Sequence, residues 1–279
     1  MNFSKTQEKF YDEHPTLSPW PEILSKKALK TLYKPREIFL KNELDKLKIG
    51  NTSRVLEVGS GQGIFLKRVC GQYLCNGIGA DISSGSVDYA NKYYSKSNLK
   101  FIKSKAEKLP FEDNSFDFVT SFDTLEHIEN QVLAVSEMIR VLKKGGRLLI
   151  YTLNKNDKYT LDWIWEKLGF DIYSRAAHKR SLFVDSRKLA ESLEKSSVKV
   201  ETLDLYGGIF TLGIDEIIMV KILIAKKLGL FKSEKIGNSA LISFSFFSKL
   251  SFNFLSLLDQ LWYKNGHSLG FAIIAKKST

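Results

Sequence analysis

Cysteine is scarce in this chain. Of 279 residues only Cys70 and Cys75 carry thiols. Their C-x4-C spacing has no second pair and no histidine cluster beside it, which excludes a disulfide framework and a zinc site of the usual spacing. The expectation is two reduced thiols in a cytoplasmic protein. Residues 1–11 are polar and lack an apolar run, so no secretory leader is expected. No Ser-His-Asp pattern, metalloprotease pattern, internal repeat or low-complexity tract occurs. Acids are outnumbered, 31 against 42 Lys and Arg, for a net charge of +11. No recognisable nucleic-acid module accompanies that surplus, so a nucleic-acid substrate is not expected. An anionic membrane surface fits the charge, as does a solvated positive face with no specific partner.

Hydrophobic residues make up 43% of the chain and aromatics 12%, enough for one α/β domain with additions. The informative stretch runs from Val55 to Gly63. A short apolar run (Val55, Leu56, Val58) ends in glycines at 59, 61 and 63, and a helical pattern (Ile64, Phe65, Leu66, Val69) follows at once. This reads as strand, tight turn and helix, with main-chain N–H groups open to a ligand. The dinucleotide fingerprint G-x-G-x-x-G places its third glycine where Ile64 stands, which disfavours a nicotinamide cofactor. Glu57 precedes the first glycine by two positions. The stretch resembles the first motif of the class I S-adenosylmethionine-dependent methyltransferases, whose loop faces the methionine part of the cofactor. A generic glycine turn of a βα unit is the plainer alternative.

Four later stretches extend the resemblance in order. Gly77 to Asp81 reads as a second strand, with its acid 18 positions after Gly63. A carboxylate there can accept from a ribose diol, or serve only as a helix cap. The resemblance gives Asp81 the ribose and Ile82 the adenine face, and Ser83-Ser84 suits a helix cap. The run from Ser104 to Val119 is similar to the family's "DAExLPFxDxSFDxV". The family's first acid is here Lys105, so Ala106 N–H and Glu107 are left to meet the adenine, and Asp117 reads as structural. Phe122 to Glu129 contains "LEHI", residues the family places under the cofactor's methyl end. His127 is the candidate catalytic residue, as general base or as a positioning histidine on the pocket floor. Asp123, Glu126 and His127 also follow the E-x-x-E-H spacing of ubiquinone-pathway O-methyltransferases, whose side chains can hold a divalent ion. The expectation here carries no metal. Arg140 to Ile150 matches the family's helix, glycine turn and fifth strand.

The resemblance implies a doubly wound, seven-stranded, mostly parallel sheet (a Rossmann-like methyltransferase fold) over residues 36–206 and 264–279, with the last strand reversed beside strand six. Residues 1–35 are expected as a cover segment offering Tyr11 and His14. Residues 154–184, rich in aromatics and cations, are expected as a substrate-pocket insertion offering Trp163 and Tyr173, or as a helical hairpin with a basic face. Residues 207–263 are expected as a helical insertion. They hold two apolar segments, Ile214–Leu230 and Leu241–Leu258, the first too charged to span a bilayer. An interfacial amphipathic pair and a helical cap both fit. The implied activity is methyl transfer from S-adenosylmethionine, bound by Glu57, Gly59, Ser60, Gly61, Gly63, Asp81, Ile82, Ala106, Glu107 and Phe122. The absence of an Asn-Pro-Pro-aromatic motif tilts the acceptor atom towards O or C of a small or lipid-linked molecule. A catalytically degenerate cofactor-binding protein and an NAD-dependent oxidoreductase are the competing readings.

Overall fold

Runs of apolar residues with little polar interruption form strands buried on both faces, and such runs make the centre of a seven-stranded sheet here. The computed structural model describes residues 8–9, 11–12, 35–170, 178–212, 254, 257–261 and 263–279. Helix α1 (Pro35–Leu47) leads into β1 (Arg54–Val58), α2 (Ile64–Tyr73), β2 (Asn76–Asp81), α3 (Ser84–Tyr94), β3 (Leu99–Lys103) and β4 (Phe116–Phe122). Then come α4 (Gln131–Val141), β5 (Leu142–Leu153), α5 (Leu161–Lys167), α6 (Ser186–Glu194), β6 (Val198–Tyr206) and β7 (Gly270–Lys277). The sheet order is β3-β2-β1-β4-β5-β7-β6. Strands β1 to β5 pair in parallel. β7 is antiparallel to both neighbours, so it lies beside β6 as expected and also fills the slot next to β5.

The period of two along each strand sends alternate side chains into two cores. Leu148 and Ile150 of β5, with Phe271, Ile273 and Ala275 of β7, pack on Ala134, Val135, Met138 and Ile139 of α4. The intervening Leu149, Ala272 and Ile274 face the other way, in one core with Leu40, Leu44 and Leu47 of α1 and with Leu66 and Val69 of α2. Cys70 and Cys75 are buried in that second core as free thiols, with 3.5 Å between their sulfurs. Helix starts carry the expected chemistry. Ser83 accepts from Ser86 N–H, Asn130 from Leu133 N–H, and Asp185 from the N–H groups of Arg187 and Lys188.

The fifth strand differs from the sequence expectation. It begins at Leu142, directly off α4, so Gly145 and Gly146 lie inside the strand and not in a turn before it. The register against β4 skips between Phe116 and Phe118. A Cβ on Gly146 would lie 2.7 Å from the Asp117 carbonyl oxygen, so close backbone approach at this bulge requires glycine. Asp117 accepts from Arg54 N–H at 2.8 Å and pairs with Lys143, a structural role.

The chain leaves the sheet after β5 and returns at Val184, which bridges to Asn154. Between them lie α5 and a single turn at Arg180–Leu182, where Arg180 pairs with Glu166 and with buried Asp157. Residues 171–177 and 213–253 lie outside the described residues, and with them Tyr173 and most of the two apolar segments. Residues 254 to 263 include helical positions whose faces are reversed from the usual arrangement. Fully buried Asp259 accepts from the N–H groups of Phe210 and Thr211 and from the Thr211 hydroxyl, while Phe254, Leu257 and Leu261 are exposed. Among the described residues no helix is long and apolar enough to cross a membrane.

Candidate active site

The carboxyl ends of β1, β2 and β4 stop at one level. Val58 stands opposite Ala80 on one side and Ser121 on the other. The turns that follow these strands therefore share one crevice, where ligands of open α/β sheets bind. The first turn is tied to β2, with Gly59 and Ser60 N–H groups donating to the Ala80 carbonyl. Its three glycines have φ of +76°, +49° and +74° at Gly59, Gly61 and Gly63. They differ in purpose. A Cβ on Gly59 would sit 2.1 Å from the Thr124 hydroxyl, and one on Gly63 would sit 2.2 Å from the Phe101 ring. Both are packing glycines. A Cβ on Gly61 would meet nothing within 4 Å, so Gly61 faces the open crevice.

Asp81 locks the turns together. Its carboxylate accepts from Gly61 N–H at 2.7 Å and from Ser83 N–H at 2.9 Å. Burial nevertheless holds its pKa above the ordinary value. Beneath the loop, Glu57 is fully buried and, among the described residues, its Oε2 lacks a partner. Burial pushes its carboxyl well above the usual range, against the Leu66 N–H that it accepts. Ser60 Oγ is also buried without a partner. Ser104 N–H donates to the Asp81 carbonyl and so brings the 104–108 turn to the same crevice. In that turn Ala106 and Glu107 are half-buried and Lys105 is exposed. Ile82 is half-buried beside Asp81, and Phe122 is buried with its ring 4.2 Å from that of Phe65.

The turn after β4 forms the opposite wall. Asp123 has φ +49°, a left-handed conformation that side chains resist, and it pairs with Arg36 of α1. Burial opposes charge on Arg36, but the adjacent Asp123 prevails and raises its pKa. Arg36 also lies over the Tyr151 ring, 5.0 Å from its centroid. Glu126 is completely buried; its Oε2 accepts from the Thr152 hydroxyl at 2.6 Å and its Oε1 has no partner. Burial, reinforced by Asp123, moves the Glu126 carboxyl up to about 8. His127 lies 3.2 Å through Nε2 from the Tyr11 hydroxyl and stacks on His178, with 4.6 Å between ring centroids. Burial, aided by His178, lowers its pKa to about 3.

Of the expected substrate residues, Tyr11 reaches His127. Trp163 stays within the 154–184 insertion, its ring 5.4 Å from that of Tyr159 and under Lys167. His14 and Tyr173 lie outside the described residues. Three contributors were not singled out from sequence. Asp12 accepts from the Ser83 hydroxyl and Gly85 N–H, Glu8 pairs with Lys103, and Arg36 pairs with Asp123. Each joins residues distant in the chain, and no local pattern announces them. His178, within the aromatic and cationic 154–184 run, carries no local signal that points to His127.

Sheet order, reversed last strand and glycine crevice together define the fold of a class I S-adenosylmethionine-dependent methyltransferase. Residues 56–150 match the model of a methyltransferase domain family. It is 32% identical over 158 residues to the ubiquinone/menaquinone biosynthesis C-methyltransferase UbiE of Ectopseudomonas mendocina, covering 54% of this chain and 61% of that protein. The UbiE of Idiomarina loihiensis is 29% identical over 130 residues, 41% of this chain and 52% of that one. The chain thus spans about half the length of the curated relatives it matches. In fold it is similar to Haemonchus contortus phosphoethanolamine N-methyltransferase 2 (TM-score 0.60, 17% identity, 100% of this chain and 60% of that one). It is also similar to the 4+2 cyclase SpnF (TM-score 0.58, 18% identity, 99% and 96%). The fold alone therefore does not fix the reaction.

Replacing Gly63 by Ala adds a ring clash to a left-handed backbone, so it should cost about 2–4 kcal/mol in urea unfolding. Gly61→Ala, facing open space, should cost about 1 kcal/mol. Equal losses would show that the two glycines do not differ in purpose. Glu57 binds its proton more tightly folded than unfolded, so stability falls as pH rises above 4.5, its ordinary value. Glu57→Gln should therefore raise the melting temperature more at pH 8 than at pH 5. A pH-independent difference would mean that Glu57 is ionised in the fold.

Proposed function

We propose that the chain transfers a methyl group from S-adenosylmethionine to an oxygen or carbon of a small-molecule acceptor. The carrying observation is the crevice itself, where Gly61 opens to space while its N–H and that of Ser83 fix the Asp81 carboxylate. The residues fit the donor: unpartnered Ser60 Oγ and the open face of Gly61 leave room and polar capacity beside the loop. On this reading, Glu57 to Gly63 hold the methionine part, and Asp81 accepts from the ribose hydroxyls. Ile82, Ala106 and Glu107 bound the adenine, and Phe122 lines the methyl end. When bound, the donor supplies an electrophilic methyl carbon; its C–S bond breaks as the acceptor's new bond forms, releasing S-adenosylhomocysteine and the acceptor's proton. The chain's part is alignment of donor and acceptor, worth several orders of magnitude in rate. His127 serves this as a positioning group. Burial disfavours its protonated form, so it is a poor base for the acceptor's proton.

A lipid-linked acceptor presented at a membrane surface follows from different features. Phe254, Leu257 and Leu261 expose one apolar helix face on a chain of net charge +11, the pairing that anionic interfaces favour. The relatives' names, tied to ubiquinone and menaquinone, support an acceptor of that kind. Lys105, exposed where the family's pattern has an acid, favours a second reading in which the chain binds the cofactor without turning over.

Calorimetric titration with S-adenosylmethionine and S-adenosylhomocysteine should show micromolar-range binding, weakened at least about tenfold in Asp81→Ala by the loss of charged hydrogen bonds. No binding to the wild type would remove the methyl-transfer reading. Co-sedimentation with anionic vesicles should exceed that with zwitterionic ones and fall in the Phe254→Ser, Leu257→Ser, Leu261→Ser triple variant. Equal pelleting of variant and wild type would sink the membrane part.

A further inference from the structure

Two neighbouring side chains in the turn after β4 carry buried ligand atoms with nothing to bind among the described residues. Glu126 is fully buried, and its Oε1 has no partner although Oε2 accepts from Thr152. His127 Nδ1 is buried without a partner, while its Nε2 meets the Tyr11 hydroxyl. Orphaned polar atoms of this kind are rare in folded proteins and cost free energy when left so. His178, brought in by the return of the 154–184 excursion, completes a group in which one ligand atom from each residue lies within 4.8 Å of the others.

We propose that Glu126, His127 and His178 form a divalent-cation site on the acceptor side of the crevice. Two imidazoles and one carboxylate suit a first-row transition ion or zinc and leave coordination positions free for acceptor oxygens. Metal-bound imidazoles usually engage their second nitrogen in a hydrogen bond. His127 meets that condition, because Nε2–H can donate to the Tyr11 phenol while Nδ1 turns to the ion. The Thr152 hydroxyl on Glu126 Oε2 supports the carboxylate in the same way. Asp123, which the sequence spacing offers as a ligand, is engaged instead by Arg36. The third ligand comes from a different part of the chain. The His127 and His178 rings stack with planes 24° apart, so ion binding turns one ring about its Cβ–Cγ bond until both lone pairs converge.

This assignment stands apart from methyl transfer and is read without it. The full chain, stripped with a chelator and dialysed, is titrated with Zn²⁺ and separately with Mn²⁺ by calorimetry. Co²⁺ loading is followed by its visible spectrum. One ion per chain is expected, with a Co²⁺ spectrum of nitrogen and oxygen ligation. Affinity should fall at least about tenfold in Glu126→Gln and in His178→Ala, and stay unchanged in His267→Ala, whose imidazole bonds to Asn156 elsewhere. Absence of saturable binding by the wild type overturns the site. So does a Co²⁺ spectrum without nitrogen ligation, or an equal loss in His267→Ala. Failure of S-adenosylmethionine to bind leaves the site intact, so the two readings fail separately.

Discussion

The two backbone N–H groups held by the Asp81 carboxylate fix the geometry on which the rest of the crevice depends. A carboxylate at the end of a buried strand sits in a poor dielectric, and burial alone would favour its neutral form. Gly61 and Ser83 answer that penalty with main-chain donors from the turn after β1 and the turn after β2. One side chain thereby fixes the separation of two loops. Gly61 can take part because its left-handed backbone has no Cβ to obstruct the approach.

The opposite wall is held by charge. Asp123 sits in a conformation that costs energy, and Arg36 from the helix before β1 anchors it there. Strain of this kind persists only where the surroundings over-determine it. Behind it, burial pushes the Glu126 carboxyl up and the His127 imidazole down. Tyr11 and Asp12 bind to both walls, one to His127 and the other to the start of α3. Residues 11 and 12 thus contact the two sides of the crevice separately.

What was legible in the sequence is what is local. The strands β1 and β2 fall where their short apolar runs place them, because local burial patterns act within a few residues. The glycine turn and Asp81 are legible for the same reason, since conformation and spacing reside in one βα unit. The α4–β5 junction was misread because two consecutive glycines signal a turn and a bulge equally well. Only Asp117 across the sheet decides between them. Arg36, Asp12 and His178 act across long chain separations, and hydrophobic patterning carries no record of such pairs. The likeness of the three glycines is also superficial, since two are demanded by side chains from other elements and one by open space.

β7 pairs on one side with β5 and on the other with β6, yet residues 270–277 follow the other six described strands in the chain. During synthesis, β5 and β6 have no common neighbour until that segment emerges, and each presents an unpaired edge meanwhile. Such edges are templates for association between nascent chains, and contacts of high sequence separation form slowly. The molecule's sheet is therefore closed in its interior, not at its rim, by its last strand. Its exposure to aggregation is concentrated in the interval before residues 270–277 arrive.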